Sequence, residues 1–176
     1  MTDALTDAEA ISAMRAVAHP VRLRILSLLT AQAMSAAEVA RELDLTHANA
    51  SYHLRVLHDA EELVVESEEK IRGGMAKRYR YVILDKPSGP ITTEDLIAYA
   101  HAISTEVTRR MQTRKKAPSH WADIETWVEP AVWDEALALA NRASQLLHDG
   151  ALPPQSDGAV HVSYSGMAFR MEDTTS

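Results

Sequence analysis

Apolar positions recur at helical spacing from the start of the chain. Ala10, Ile11, Met14 and Val17 mark one face of a helix over 7–17. That helix must stop before His19-Pro20, because a residue preceding proline is pushed out of the α region. Pro20 suits the first turn of a second helix over 21–30. Val21, Leu23, Ile25, Leu26, Leu28 and Leu29 make this helix apolar almost all round, which predicts a central, largely buried element. Ser35 and Glu38 have the spacing of a capping box, and Val39, Ala40 and Leu43 form one face of the short helix behind it. Asp44-Leu45 breaks this helix, and Thr46 is a good N-cap for a further one over 47–60. Two short helices joined by a tight turn, each with one apolar stripe, predict a helix-turn-helix.

Beyond Leu63 the period changes. Val64–Glu68 and Arg78–Leu84 read as strands around Gly73-Gly74, a hairpin whose basic residues lie at its tip and on its return strand. A helix-turn-helix followed by such a hairpin has the layout of a winged helix. Lys86-Pro87-Ser88-Gly89-Pro90 reads as a linker. A long helix over 93–114 follows, with Leu96, Ile97, Ala100, Ile103 and Val107 as its stripe. The cations at its end, Arg109, Arg110, Arg114, Lys115 and Lys116, complement the helix dipole. A last helix over 131–148 runs into Asp149-Gly150. The tail alternates at Val160, Val162 and Tyr164, then at Met167, Phe169 and Met171, changing phase at Gly166; one bulged strand and a tight hairpin both fit. The fold class predicted is mainly α with a small β-hairpin. A winged helix-turn-helix domain over 1–84 precedes a helical dimerisation and C-terminal segment over 85–176.

Composition sharpens this picture. Of 176 residues, 46% are hydrophobic, enough for a core, and the absence of Cys excludes disulfides, zinc ribbons and thiol chemistry. No apolar run reaches about 18 residues, and the acidic start, Met1 to Asp7, lacks the layout of a signal peptide. A soluble cytoplasmic protein with no membrane partner is expected. The net charge of −7 speaks against nucleic acid, but its distribution is uneven. Lys70, Arg72, Lys77, Arg78 and Arg80 crowd the hairpin with no acid between them, a local +5 that suits phosphate.

The segment over 45–57 carries the chemistry. With Ala50 inward and 100° per residue, Leu54 and Leu57 complete the core stripe. Ala48, Tyr52 and Arg55 then point outward, flanked by Asn49 and Ser51. A small gap, a phenol, an amide and a guanidinium suit base edges in a major groove, where Arg favours guanine and Asn favours adenine. His47, at the helix start, is placed to meet a phosphate. His53 lies nearer the core and reads as a semi-buried histidine hydrogen-bonded within the domain.

The chain resembles the ArsR-type winged-helix transcription regulators of prokaryotes. The resemblance is carried by Met14-Arg-Ala-Val-Ala-His-Pro-Val-Arg-Leu-Arg-Ile-Leu-Ser-Leu-Leu29, by Ala37-Glu-Val-Ala-Arg-Glu-Leu-Asp-Leu45 and by Ser51-Tyr-His-Leu-Arg-Val-Leu57, in order and at the family's spacings over about 8–84. It implies a winged domain, a homodimer, and operator binding regulated by a ligand. The chain departs from the pattern in four places. Glu62 stands where a glycine usually opens the hairpin, so a left-handed backbone there would cost about 1 kcal/mol. His19 replaces the frequent acid before Pro20. The metal-sensing cysteines are missing, and so is the paired Asp-x-His and His-x-x-Glu pattern of the dimer helix. Asp95, His101 and Glu106 cannot all share one helical face, so no metal or cofactor is assigned.

The leading functional expectation is a repressor that binds a double-stranded DNA operator as a homodimer and is released by a small organic effector. Its DNA contacts would come from His47, Ala48, Asn49, Ser51, Tyr52 and Arg55, and from Arg72, Lys77 and Arg78 on the wing. Helices 7–17 and 93–114 would build the dimer. Trp121, Trp127, Trp133 and Phe169 could line an effector site, although filling a small C-terminal core is the simpler use of them. The alternative is a winged helix used for protein–protein contact without DNA. No phosphate-cradling glycine loop, zinc motif or nucleophile elbow supports an enzyme.

Overall fold

The computed structural model describes residues 13–71, 74–82 and 91–172. The chain runs α1 (Ala13–Val17), α2 (Pro20–Leu29), β1 (Met34–Ser35), α3 (Ala36–Leu43), α4 (His47–Asp59), β2 (Leu63–Ile71), β3 (Gly74–Tyr81), α5 (Thr93–Met111) and α6 (Pro130–Asp149). The first helix is described only over its last five residues, and the expected linker at 86–90 lies outside the described residues.

The junction of α1 and α2 shows why His19 precedes proline. Its backbone is extended (φ −153°), and its Nδ1 accepts from the Val21 N–H at 3.1 Å, capping α2 as an acidic side chain would. In α2 only Ser27 is fully exposed, so the nearly continuous apolar run is indeed the central helix. Ile25 and Leu29 pack with Val39, Ala50, Leu54, Leu57 and Leu63 into one core between α2, α3, α4 and the base of the hairpin.

The sheet has three antiparallel strands in the order β1-β3-β2. The two-residue strand β1 carries no sequence signal of its own; Met34 and Ser35 pair with Tyr79 and Arg78 because β3 passes there. A register shift between Val65 and Ser67 leaves Glu66 unpaired on β2. The turn into the hairpin corrects the expectation at Glu62: the left-handed residue is Glu61 (φ 60°), while Glu62 stays at negative φ and donates its N–H to the Leu57 carbonyl. These elements form a winged helix-turn-helix fold.

The C-terminal part departs further from expectation. Helix α5 packs on α1 and α2, yet it buries Asp95, Ala102 and Glu106 there, with the Tyr99 phenol partly covered. Leu96 and Ile97, at the head of its apolar stripe, are about half exposed. Helix α6 has no buried residue. Its contact with the winged domain includes the edge of the His148 ring against Tyr81, 5.5 Å between centroids. The tail over 160–171 forms neither the bulged strand nor the hairpin. It pairs with no strand and joins neither outer edge of the β1-β3-β2 sheet. Among the described residues, no helix is long and apolar enough to cross a membrane.

Candidate nucleic-acid interface

Helix α3, which leads into the turn before α4, is held at both ends. Ser35 accepts from the Glu38 N–H while Glu38 Oε2 accepts from the Ser35 N–H at 2.7 Å, the complete capping box. At the other end Asp44 takes the left-handed conformation (φ 53°), which short polar side chains tolerate. The Leu45 N–H then donates to the Ala40 carbonyl at 2.8 Å, closing the helix end. Thr46 caps α4 through its hydroxyl, accepting from the Asn49 N–H at 3.2 Å. A fixed turn fixes the direction of α4.

On α4 the buried side is Ala50, His53, Leu54 and Leu57. His47, Ala48, Asn49, Tyr52 and Arg55 are exposed, and Ser51 is half-buried at the edge of that face. The arc expected from helical rotation is therefore on the surface. Arg55 has no ion-pair partner among the described residues, so its guanidinium is free to meet a ligand. The Tyr52 ring stands edge-on to His53, 5.2 Å between centroids.

His53 is more deeply buried than a semi-buried histidine, at 5% exposure, and its Nδ1 has no hydrogen-bond partner among the described residues. Its ring lies 4.8 Å from that of His19. Burial first, then the charges of His19 and Arg22, push its pKa down to about 4. The same two causes, burial and Arg22, lower His19. The downward shift favours the neutral ring that His19 needs in order to accept the α2 capping bond.

The wing corrects the basic-stripe expectation. Strand β2 brings three carboxylates alongside β3. Glu66 pairs with Arg80 at 3.2 Å, Glu69 lies 3.6 Å from Arg78, and Glu68 stands opposite Lys77 in the ladder. Arg78, expected at phosphate, is turned inward. Its Nη1 donates to Glu38 Oε2 at 2.9 Å and its Nη2 to the Ala33 carbonyl at 2.7 Å. Burial raises the Glu38 carboxyl, but the Ser35 hydrogen bonds and Arg78 outweigh it, and the net shift is downward. The wing is thereby bolted to the first turn of α3, a contact that residue spacing cannot reveal. Lys70 and Lys77 remain exposed on the hairpin, and Arg72 lies outside the described residues.

The four C-terminal aromatics are not brought together as a pocket lining in one chain. Trp121, Trp127 and Phe169 are 62%, 87% and 68% exposed, and Trp133 is half-buried on α6. Arg114 stacks over Trp121, 5.7 Å from the ring. Nor do they fill a C-terminal core. Asp95 serves as the capping-box partner of Thr92, and Glu106 pairs with Arg109 at 2.8 Å and Arg110 at 3.7 Å. The cations at the end of α5 are thus partly spent inside the helix.

Comparison with known proteins places the same segment. Residues 17–65 match the family model described as a helix-turn-helix domain. Over 63 residues the chain is 40% identical to an uncharacterized HTH-type transcriptional regulator of Methanocaldococcus jannaschii, covering 36% of this chain. The matched part spans 64% of that relative's length. Residues from α2 to the start of the hairpin are thus similar in sequence to a helix-turn-helix domain, and α3, its turn and α4 have that domain's geometry.

Proposed function

We propose that the chain is a DNA-binding transcription regulator that reads an operator with α4. One observation carries the reading: the solvent-facing arc of Ala48, Asn49, Tyr52 and Arg55 lies on a helix clamped by its buried opposite face and by a doubly capped turn. The N-terminal half of such a helix meets base edges in a major groove. His47 and Ser51 flank the arc, and Lys70, Lys77 and Arg72 are the wing residues assigned to phosphate. Arg78 is better placed as the internal strut of the wing.

The protein acts as a homodimer in this reading, with the half-exposed head of the α5 stripe contributing to the contact. Two-fold pairing sets two recognition helices about 34–36 Å apart, one DNA turn. It represses by occupying its operator, and a small organic effector releases it. Because Trp121, Trp127 and Phe169 are exposed in one chain, an effector site built from them needs a second copy to close it.

The test is binding to the DNA upstream of the protein's own coding sequence, across a salt series and with candidate metabolites. Specific, salt-dependent binding supports the reading. Salt-independent behaviour with no DNA affinity favours the protein–protein alternative.

A further inference from the structure

Helix α6 poses a physical problem. It is twenty residues long, and none is buried. Val132, Leu139 and Leu146 are 53%, 64% and 60% exposed. They recur every seven residues, with Ala136 and Ala143 between them at alternating steps of four and three. That alternation keeps an unbroken apolar seam on one side of a helix. Exposed apolar side chains also flank α6 in sequence on both sides. Among the described residues, sixteen large apolar side chains from Met111 to Met171 are 41–87% exposed. Summed over the segment they amount to on the order of 1,500 Å² per chain. A standard stable interface buries about 800 Å² per partner, so the segment as a whole holds enough apolar area for a dimer, and the α6 seam is one part of it.

We propose that α6 pairs with α6 of a second copy, antiparallel, along Val132, Ala136, Leu139, Ala143 and Leu146. The proposal rests on the homodimer of the reading above and is independent of whether that dimer binds DNA. Two features of the seam select a second copy in this orientation. With the helices antiparallel, Val132 meets the partner's Ala143 and Leu139 meets the partner's Ala136, so these two large side chains each face a small one, while Leu146 at the end of the seam falls against the helix start at the partner's Glu129. The same register sets Glu135 opposite the partner's Arg142, and Arg142 opposite the partner's Glu135. Both residues are exposed and have no ion-pair partner among the described residues. Charged residues flanking an apolar seam choose partner and orientation. Parallel pairing would set Glu135 and Arg142 against the partner's Ala140 and Leu147, with no charge to match. Trp133 falls beside the partner's Ala140, again large against small.

The full chain contains no cysteine, so engineered thiols report the geometry without background. Val132→Cys with Ala143→Cys, combined in one chain, should oxidise to a covalent dimer, while each single variant should stay monomeric on a denaturing gel. Within one helix the two thiols are about 16 Å apart and cannot join. Sedimentation equilibrium of the wild-type chain without DNA should show a dimer. Glu135→Arg should raise its Kd by about tenfold, Arg142→Glu likewise, and the double exchange should return it to within about twofold. Circular dichroism checks that each variant keeps its helices. A dimer that cross-links through Val132→Cys alone, or that never cross-links in the double variant, overturns the antiparallel seam while leaving the homodimer. Failure of the charge exchange to restore association overturns it equally. A wild-type monomer removes both, and DNA binding is then judged by its own assay.

Discussion

Arg55 and Arg78 carry the same charge and do different work. Arg55 stands exposed on α4 and unpaired among the described residues, so Arg55→Ala should leave stability unchanged and weaken operator binding by about 1–3 kcal/mol. Competition binding against a scrambled sequence would show that loss as lost specificity. Arg78 holds the Glu38 carboxylate and the Ala33 carbonyl. Arg78→Ala should lower unfolding stability by about 1–2 kcal/mol in urea titrations, with little change in the salt dependence of DNA binding. The pair His19 and His53 gives a pH signature. His53 is held neutral when folded, with its pKa near 4, whereas in the unfolded chain it titrates near the ordinary histidine value of 6.5. Above that value both states are neutral and the group contributes nothing to pH dependence. As pH falls from about 6.5 to 4, only the unfolded chain gains the proton, and up to about 3 kcal/mol of stability is lost. The groups facing the ring are His19, Tyr52 and Arg22; none is an acid that would stabilise the charged form. Urea midpoints measured from pH 7.5 to 4.5 should therefore fall more steeply for the wild type than for His53→Leu.

At the level of elements, α4 and the wing divide the task unequally. Helix α4 presents a face with no acid until Asp59, while the wing's cations are largely answered by β2. Lys70 and Lys77 are its exposed cations among the described residues. If each meets one phosphate, neutralising both should flatten the log–log salt slope by about 1.8, at about 0.9 per contact. A slope that stays at the wild-type value would show the wing standing off the DNA. Removing Glu68, which faces Lys77 in the ladder, should steepen the slope instead. Helix α5 is the inverse of an ordinary amphipathic helix. It puts Asp95 and Glu106 inward, where capping and arginine pairing satisfy them, and leaves Leu96 and Ile97 half outside. The half-exposed Leu96 and Ile97 leave apolar area on which a further surface could pack.

The whole molecule is a winged domain followed by an arm with too little of its own chain to pack against. Residues 113–129 and 151–172 contain no helix or strand, and α6 between them has no buried residue. Burial by a second copy should be visible in the tryptophans. Diluting the protein through its dimer dissociation should shift emission to the red and raise acrylamide quenching, because Trp121 and Trp127 become water-exposed in the separated chain. Spectra identical from micromolar to nanomolar concentration, with a dimer at the upper end, would show that the arm takes no part in assembly. An effector bound between the arms would act through the same surface, changing the spacing of the recognition helices and hence DNA affinity.

What the sequence determined by itself is the local order of the winged domain. Capping chemistry at Ser35, Glu38 and Thr46, the proline after His19 and the 3.6-residue stripe of α4 are short-range effects, encoded within a few residues. Even the outward arc of α4 follows from rotation about one axis once Ala50 is placed inward. Tertiary structure decided everything that depends on which strands meet. The acids of β2 and the cations of β3 are read separately in the sequence, and only antiparallel pairing sets Glu66, Glu68 and Glu69 beside them and turns a +5 stripe into a nearly balanced ladder. The strand β1 and the strut from Arg78 to Glu38 likewise come from contacts between distant segments. In the tail, alternation alone could not make a strand, because a strand needs a neighbour to take its hydrogen bonds and the tail joins neither edge of the described sheet.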